Sequence, residues 1–453
     1  MILLTHGYFL DEDVKEQQIM KPYVPLGILY ISAYLQEKGI ENKVFDSTFS
    51  SIEKLQSELL NTQPPIIAIY VNLMTKLNVL KIILFVKNNL KNSKVILGGP
   101  EIRHYSKDYL KHGADMVVFG EGEETILEIC NYYRIHHSLP TNCAGTAFIK
   151  NDNLITNQDR ALIKDINTLP LPNRNKINFK LYLDTWKKHH GKSTISVSTM
   201  RGCPYTCKWC SRAVYGGTYR RRSPELVAEE LLQIKKDYNP DAVWFVDDVF
   251  TISHKWLKEF AASVKEKKAI IPYEIITRAD RMNEEVIKLL KESGCFRVWI
   301  GAESGSQRII DDMDRRVSVE MVREMIILSK KNGIEAGTFI MLGYPGETKQ
   351  DIKETIKHLQ SSNPDYYTVT IAYPIKGTPL YNQIEKDIFT NYDFSTSTDR
   401  DIDFKRTHSK NYYKYAVKWV YNEVNYERPN NSFSKIKIKL KSQMAQILMA
   451  LNK

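Results

Sequence analysis

The stretch Arg201-Gly202-Cys203-Pro204-Tyr205-Thr206-Cys207-Lys208-Trp209-Cys210 sets the strongest limit on what this chain can become. Three of the six cysteines fall within eight residues there, as C-x3-C-x2-C. Thiols this close in one loop can hold an iron–sulfur cluster, and a full 4Fe-4S set takes four. Three leave one iron without a protein ligand, and an open position on a metal is where a small molecule binds and reacts. Gly202 and Pro204 suit a loop that wraps closely around such a group. Trp209 offers a flat apolar face to a bound ring. Zinc is the competing reading, but it takes four N or S ligands, and no fourth Cys or His lies close by. A disulfide reading leaves one thiol over.

At 453 residues the chain has room for two or three domains, each with its own core. It contains no run of eighteen apolar residues, so no membrane span is expected. The first residues, MILLTHGYFL, lack the basic leader and length of a signal peptide. Cys130, Cys143 and Cys295 stand alone in apolar surroundings and read as small buried hydrophobes. Free thiols together with a cluster loop point to a reducing compartment, hence the cytoplasm. The net charge is +11, and residues 404–453, with eleven Lys and Arg against two Glu, hold most of it. The near-neutral remainder argues against nucleic acid as a partner of the body and puts any electrostatic attraction in the tail.

Residues 1–135 alternate short apolar runs (Ile2–Thr5, Lys43–Asp46, Ile66–Leu73, Val95–Gly99, Met116–Gly120) with helical patterns over Leu26–Lys38, Ile52–Leu60, Lys76–Asn89 and Glu123–Tyr133. The alternation predicts a doubly wound parallel sheet, flavodoxin- or Rossmann-like, which binds ligands at the carboxyl ends of its strands. Those ends carry His6-Gly7, Asp46, Gly98-Gly99-Pro100 and Gly120-Glu121. Residues 136–192 read as a connector. It contains a small hairpin over Ala147–Lys150 and Asn153–Thr156, and Leu169-Pro170-Leu171-Pro172 breaks regular structure.

From residue 193 to 380 the alternation resumes with six predicted strands: Ile195–Thr199, Ala242–Val246, Tyr273–Thr277, Arg297–Ala302, Ala336–Met341 and Tyr367–Ala372. Polar residues gather just after them. They include the cysteine loop, Asp247-Asp248, Arg278, Glu303-Ser304 and Tyr373. In βα barrels the chemistry sits at this rim. Each acid could instead cap the following helix. Arg220-Arg221-Arg222 reads either as a solvated face or as the lining of a substrate entrance.

The cysteine loop after an apolar strand resembles the cluster-binding loop of the radical S-adenosylmethionine (SAM) enzymes, and the six βα units resemble their partial (βα)6 barrel. Pro25-Leu26-Gly27, Leu97-Gly98-Gly99-Pro100 and Gly120-Glu121-Gly122-Glu123 are similar to phrases in the amino-terminal domain of the cobalamin-binding members. The resemblance implies that Cys203, Cys207 and Cys210 ligate a 4Fe-4S cluster. It implies that Asp247 or Asp248 meets the SAM ammonium, that Arg278 meets its carboxylate, and that Glu303 meets the ribose hydroxyls. Ser304 would belong to the same site, and Trp209 and Tyr373 would pack on adenine. Tyr23, Pro25, Gly27, Gly98, Gly99, Pro100, Gly120 and Glu121 would line a cobalamin site, with a side chain at Gly99 filling space that the cofactor's tail needs. The axial-histidine pattern D-x-H-x-x-G is absent around both His6 and His104. His6 is therefore expected as a hydrogen-bonded strand end, and cobalamin as base-off without a protein histidine.

By the same resemblance, an external reductant of flavodoxin or ferredoxin type supplies one electron. SAM is then cleaved to methionine and a 5′-deoxyadenosyl radical, which takes hydrogen from an unactivated carbon of a small-molecule or lipid-like substrate. Methyl transfer from methylcobalamin is the expected outcome. Cyclisation, oxidation or rearrangement is the alternative within the group, and a non-catalytic cobalamin or iron–sulfur sensor is the alternative outside it. Residues 381–453 form a basic, mainly helical extension. Its Lys435–Lys441 segment and the apolar Met444, Ile447, Leu448 and Leu451 fit a peripheral membrane contact, a cap on the open barrel, or a solvated helix.

Overall fold

The chain folds around two large sheets, the first mainly and the second wholly parallel, bridged by its own carboxyl-terminal segment. This computed structural model describes residues 1–426 and 432–453, so residues 427–431 of the expected extension lie outside the described residues. The first sheet contains β1 (Ile2–His6), β2 (Asn42–Phe45), β3 (Ile66–Tyr70), β4 (Lys94–Gly98), β5 (Met116–Val118), β6 (Thr146–Lys150) and β7 (Asn153–Thr156). Their order is β2-β1-β3-β4-β5-β6-β7. The first five are parallel, in the flavodoxin-like 2-1-3-4-5 order, which places the switch point between β1 and β3. Helices cover both faces, so the strands are buried runs of Ile, Leu and Val.

The hairpin expected in the connector forms, but it does not stand apart. β6 pairs antiparallel with β5 and β7 with β6, so the hairpin extends the first sheet. The connector also holds a helix, Phe179–His190, that the sequence reading missed. Its Tyr182 hydroxyl donates to Asp46 Oδ2 at 2.8 Å and Thr48 Oγ1 at 2.7 Å, and Trp186 Nε1 donates to the Pro22 carbonyl at 3.1 Å. Helices Val14–Ile19 and Ile102–Lys111 were also missed. The first is too short for a period to show, and the second is interrupted by a non-helical Tyr105.

The second sheet is built of β8 (Thr194–Val197), β11 (Ala242–Phe245), β12 (Tyr273–Thr277), β13 (Cys295–Glu303), β14 (Glu335–Leu342) and β15 (Tyr366–Ile371). All six are parallel, in the order β15-β14-β13-β12-β11-β8. This is the open six-stranded arrangement expected of a partial barrel. A small antiparallel pair, β9 (Met200–Arg201) and β10 (Arg220–Arg221), brackets the cysteine loop. The helices between barrel strands begin on Ser223, Ser253, Asn283, Ser318 and Thr348, each accepting a backbone N–H from its first turn. Asp247, Asp248 and Glu303 cap none of them, which leaves these acids for other work.

The extension binds both halves. Helix Lys410–Asn425 buries Tyr412, Tyr413, Ala416, Trp419 and Val420 beside β14 and β15, and the Tyr413 hydroxyl donates to the Glu347 carbonyl at 3.1 Å. The segment ahead of it crosses back to the first sheet. There Tyr392 and Phe394 pack on Tyr105, and the Tyr105 hydroxyl donates to Asp399 at 2.5 Å. No helix among the described residues is long and apolar enough to cross a membrane.

The three consecutive arginines are neither a solvated face nor a free lining. Arg222 and Arg174, the latter from the connector, converge on buried Glu230, with Arg174 at 2.7 Å. Arg221 stacks on Trp256 at 3.4 Å, and Arg220 binds Glu121 at 2.7 Å. Glu230→Ala strands two buried guanidinium groups. Removing one partner of a buried ion pair costs about 3–5 kcal/mol. We expect a lower denaturation midpoint with an unchanged slope, read by urea titration. A midpoint within error of wild type would show that the pairing carries no stability.

Candidate active site

The cysteine loop is fixed at both ends before any ligand is considered. Gly202 has φ +85, and a Cβ there would sit 2.5 Å from the Thr218 carbonyl oxygen, so only glycine lets the loop pass its own return strand. Upstream, buried Asp247 accepts from Thr199 N–H at 2.7 Å, from Met200 N–H at 3.2 Å and from the Thr199 hydroxyl, with Arg221 at 3.6 Å. Burial pushes this carboxyl upward, and Arg221 and the Thr199 bonds oppose the shift. Asp247, expected with Asp248 at the SAM ammonium, lines the same cavity and here holds the turn into the loop. Asp248 is its exposed neighbour and lines a cavity of about 310 Å³ together with Cys203 and Gly202.

Cys203 and Cys207 are buried, Cys210 is exposed, and all three are free thiols. Cys130, Cys143 and Cys295 are buried in packing as expected, and burial pushes the Cys130 thiol up to about 12 and the Cys143 thiol to about 11. Two arginines face the loop. Arg278 Nη1 lies 3.7 Å and Arg315 Nη1 3.6 Å from Cys207 Sγ. Two cations this near offset the negative charge that thiolate ligands and a cluster would bring. Among the described residues no three His, Cys, Asp or Glu side chains converge on one ion-sized point. A 4Fe-4S cluster meets each thiolate at a different iron, so its ligands need not converge. The donor set and its cationic surround fit such a cluster.

Arg278, expected at the SAM carboxylate, is buried, donates from Nε to Asp280 at 2.8 Å and from Nη2 to the Arg315 carbonyl at 2.7 Å, and lies over Tyr205 at 3.8 Å. Those bonds hold it beside Cys207. Arg315 escaped the sequence reading. It donates to the Gly301 carbonyl at 2.9 Å and lies 3.9 Å from Glu303. Its signal was the local charge pattern Asp312-Met313-Asp314-Arg315-Arg316, with Asp314 and Arg316 both left-handed. Glu303 sits after a register shift that separates it from Gly301, at φ +67. A bulge at a strand end re-aims a side chain. Burial raises its carboxyl, and Arg315 opposes the shift.

Three further expectations meet different surroundings. Ser304 is buried, 3.3 Å from Thr355 Oγ1, and accepts from Ser306 N–H at 3.1 Å, so its hydroxyl is used within the fold. Trp209 packs against an apolar cluster of Ile309, Met313, Tyr344 and Leu380, with Arg315 5.9 Å from its ring. Tyr373, half-buried after β15, lines neither of the two cavities described here.

The cavity at the carboxyl edge of the first sheet measures about 580 Å³. Tyr23, Pro25 and Gly27 line one side, and Gly98, Gly99 and Pro100 the floor. Gly120 and Glu121 line it next to Val214, Tyr215 and Val246 of the second half. All eight expected residues therefore share one space. It abuts the smaller cavity, since Leu26, Gly27, Pro100, Val214, Tyr215 and Val246 border both. Glu121 is a wall residue, but its carboxylate binds Arg201 at 2.7 Å, Arg220 at 2.7 Å and Ile163 N–H at 2.8 Å. His6 Nδ1 accepts from Tyr8 N–H at 3.1 Å and its Nε2 lies 3.0 Å from Asp46. Both ring nitrogens are therefore occupied, as the missing histidine pattern foretold. At Gly99, with φ +125, a Cβ would stand 2.2 Å from the Val71 carbonyl oxygen. A side chain there breaks sheet packing before it fills any cavity, which corrects the reason given for it.

Comparison with known proteins bears on this geometry. The family model described as the radical SAM superfamily matches residues 197–359, and the B12 binding domain model matches residues 19–130. A methyltransferase of Pyrococcus horikoshii, itself uncharacterized, is 30% identical over 79% of this chain and 77% of its own. The chain belongs to the radical SAM superfamily. It carries the B12 binding domain at its amino side, and the cofactors of that group are a 4Fe-4S cluster, SAM and cobalamin, the set that the sequence implied. The anaerobic magnesium-protoporphyrin IX monomethyl ester cyclase of Cereibacter sphaeroides is 24% identical over 84% of this chain, which spans 64% of that protein. The solved structure of the cobalamin-dependent SAM radical enzyme OxsB with aqua-cobalamin bound shares the fold. Its TM-score is 0.75 at 15% identity, over 99% of this chain and 72% of that one.

The two neighbouring acids separate experimentally. Asp247→Ala removes the acceptor that three groups share, so the apo-protein is expected to lose about 3–5 kcal/mol. Asp248→Ala, exposed and without such bonds, is expected within about 0.5 kcal/mol of wild type. Denaturant titration of the two variants checks the difference, and equal losses would put the loop anchor elsewhere.

Proposed function

We propose that the chain is a cobalamin-dependent radical SAM methyltransferase acting on an unactivated carbon of a small molecule. The observation that carries the reading is the shared wall. A cavity lined by the B12-type loops and a cavity lined by the cysteine loop border the same six residues. Two cofactors seated in them would face one another across a single substrate space. The cluster and SAM together supply a 5′-deoxyadenosyl radical, and cobalamin supplies a methyl carrier.

The chain's own residues supply placement and exclusion of water. Cys203, Cys207 and Cys210 hold the cluster, and Arg278 and Arg315 place positive charge against Cys207, which balances the negative charge of a thiolate-ligated cluster. Asp248 is the free carboxylate beside Cys203 and suits the SAM ammonium. Glu303 suits the ribose hydroxyls, and its buried position strengthens any hydrogen bond it accepts. Trp209, next to Cys210 in sequence, suits packing on adenine with its apolar ring. Glycines 27, 98 and 120 leave the larger cavity open on the sheet side, and His6, which lines it, has both ring nitrogens engaged within the fold. Residues 1–135, with the hairpin, act as the cobalamin-binding half, residues 193–380 as the radical half, and residues 381–453 as the closing segment. A reductant of flavodoxin or ferredoxin type supplies the electron from outside.

The cyclase among the relatives supports a second reading, in which the same radical joins or oxidises carbons without methyl transfer. One experiment separates the readings. The protein is reconstituted anaerobically with iron, sulfide, cobalamin and SAM, reduced, and mixed with cell extract. Products are read by mass spectrometry. Gain of one CH2 with 5′-deoxyadenosine supports methylation. A product without added carbon supports the cyclase reading, and no 5′-deoxyadenosine at all supports the sensor. Cys203→Ala, Cys207→Ala and Cys210→Ala are each expected to abolish SAM cleavage, while Ser at 130, 143 or 295 leaves it standing. Cleavage surviving in any of the first three variants would overturn the cluster assignment.

Gly27 provides the cleanest probe of the larger cavity. No atom lies within 4 Å of where its Cβ would be. Gly27→Phe therefore adds a ring to open space without touching the sheet. Cobalamin retention is expected to fall at least tenfold at an unchanged melting temperature, whereas His6→Ala leaves the base-off spectrum as it was. Full retention in Gly27→Phe would move the corrin out of this cavity.

A further inference from the structure

The last helix, Ser432–Leu451, has two apolar faces, and the protein uses one. Ser442, Ala445 and Met449 are buried against helix Lys410–Asn425, and the Ser442 hydroxyl donates to Glu423. On the opposite side Phe433 is 79% exposed, Ile436 60%, Leu440 60%, Met444 57%, Ile447 56% and Leu451 75%. Their spacing is three, four, four, three and four residues. At 100° per residue these six side chains fall within an arc of about 80°, a continuous ridge some 30 Å long. Single exposed apolar residues are ordinary, but a contiguous row of six marks an interaction surface.

The charge around the ridge names the partner. The helix contains four lysines (Lys435, Lys437, Lys439, Lys441) and no Asp or Glu. Lys437 and Lys441 are exposed and border one side of the ridge, and Lys439, exposed, borders the other while it reaches Glu423 at 3.5 Å. We propose that this face docks the protein on an anionic lipid bilayer, with the helix lying flat in the interface and the ridge in the acyl boundary. A basic helix with an apolar ridge has the composition of an interfacial helix. Each lysine near an anionic leaflet contributes about 1 kcal/mol. A second copy of this chain fits less well, because antiparallel docking of two such ridges brings like charges together. Nucleic acid would leave the six apolar side chains in water. The proposal is independent of the catalytic reading, because no residue of the ridge lines either cavity.

The test is co-sedimentation of the full-length protein with vesicles of phosphatidylcholine alone and of phosphatidylcholine mixed two to one with phosphatidylglycerol. Binding is expected on the mixed vesicles, weakening as salt rises to about 0.5 M. Lys437→Gln with Lys441→Gln is expected to lower the partition coefficient about thirtyfold. Leu440→Glu with Ile447→Glu is expected to bring binding to background at an unchanged melting temperature, since both positions are exposed. Failure to bind mixed vesicles at low salt would overturn the proposal, as would binding that survives the double glutamate variant. Equal binding to both vesicle types would overturn its electrostatic half. A dimer in sedimentation velocity that the glutamate variant splits, without vesicle binding, would assign the ridge to self-association instead.

Discussion

The structure turns on the burial of Arg201 between two glutamates of the other half of the chain. Arg201 sits two residues before Cys203, and its guanidinium meets Glu121 at 2.7 Å and Glu123 at 2.5 Å. Arg220, on the return strand of the same loop, meets Glu121 from the other side at 2.7 Å. All four side chains are nearly or fully buried. Buried charges cost several kcal/mol each to desolvate, so such a group persists only when each member finds its partners. The clamp ties Gly120-Glu121-Gly122-Glu123, at the carboxyl end of β5, to β9 and β10 on either side of the cysteine loop. The floor of one cavity and the mouth of the other are thereby set by the same ion pairs. A small slip of the two sheets would separate charges that have no water to fall back on.

That arrangement divides the acids near the site into two kinds. Asp247, Glu121, Glu123 and Glu230 have their oxygens filled by arginines and backbone N–H groups, and they fix the frame. Asp248 has been left without such bonds beside a cavity, and Glu303, with Arg315 at 3.9 Å and no backbone N–H bond, is held by a backbone conformation that L side chains rarely adopt. Residual strain and an unfilled hydrogen-bonding capacity are features of residues that meet a ligand. The arginines divide in the same way. Arg278 and Arg315 are used as a cationic bed under Cys207, a role that neither bidentate recognition nor solvation explains.

Much of this was legible in the sequence, and the reasons are physical. Parallel strands buried on both faces read as uninterrupted Ile/Val/Leu runs, so both sheets could be drawn with their ends in place to within a few residues. Glycines that permit close approach and prolines that stop helices marked the cavity edge, which is why Gly27, Gly98, Gly99 and Gly120 came together as expected. What sequence did not reveal was pairing at long range. Arg201 and Glu121 are far apart in the chain, and nothing local says that a Gly-Glu-Gly-Glu loop will grip an arginine rather than a cofactor. The same limit hid the partners of Arg278 and of the Arg220–Arg222 run, which come largely from other elements. The connector hairpin was placed correctly and its sheet was not, because a hairpin's register is local and its neighbour is not.

The carboxyl-terminal segment completes the logic of an enclosed site. An open six-stranded barrel leaves β15 as an edge, with alternate residues exposed along its length. Helix Lys410–Asn425 covers that side with aromatic residues, and the segment before it returns to the first sheet, where Lys76 is buried among Tyr105, Tyr392 and Phe394 and donates to the Ser397 carbonyl at 2.8 Å. A buried ammonium that bonds to a carbonyl and rests on aromatic faces is satisfied without a paired carboxylate. Burial lowers its proton affinity, which Glu101 and Asp399 nearby restore in part. The extension is therefore a strap with one end on each half, a second tie beside the Arg201 clamp. Two independent ties of this kind hold a cavity between two sheets at fixed width, which radical chemistry in a water-free space demands.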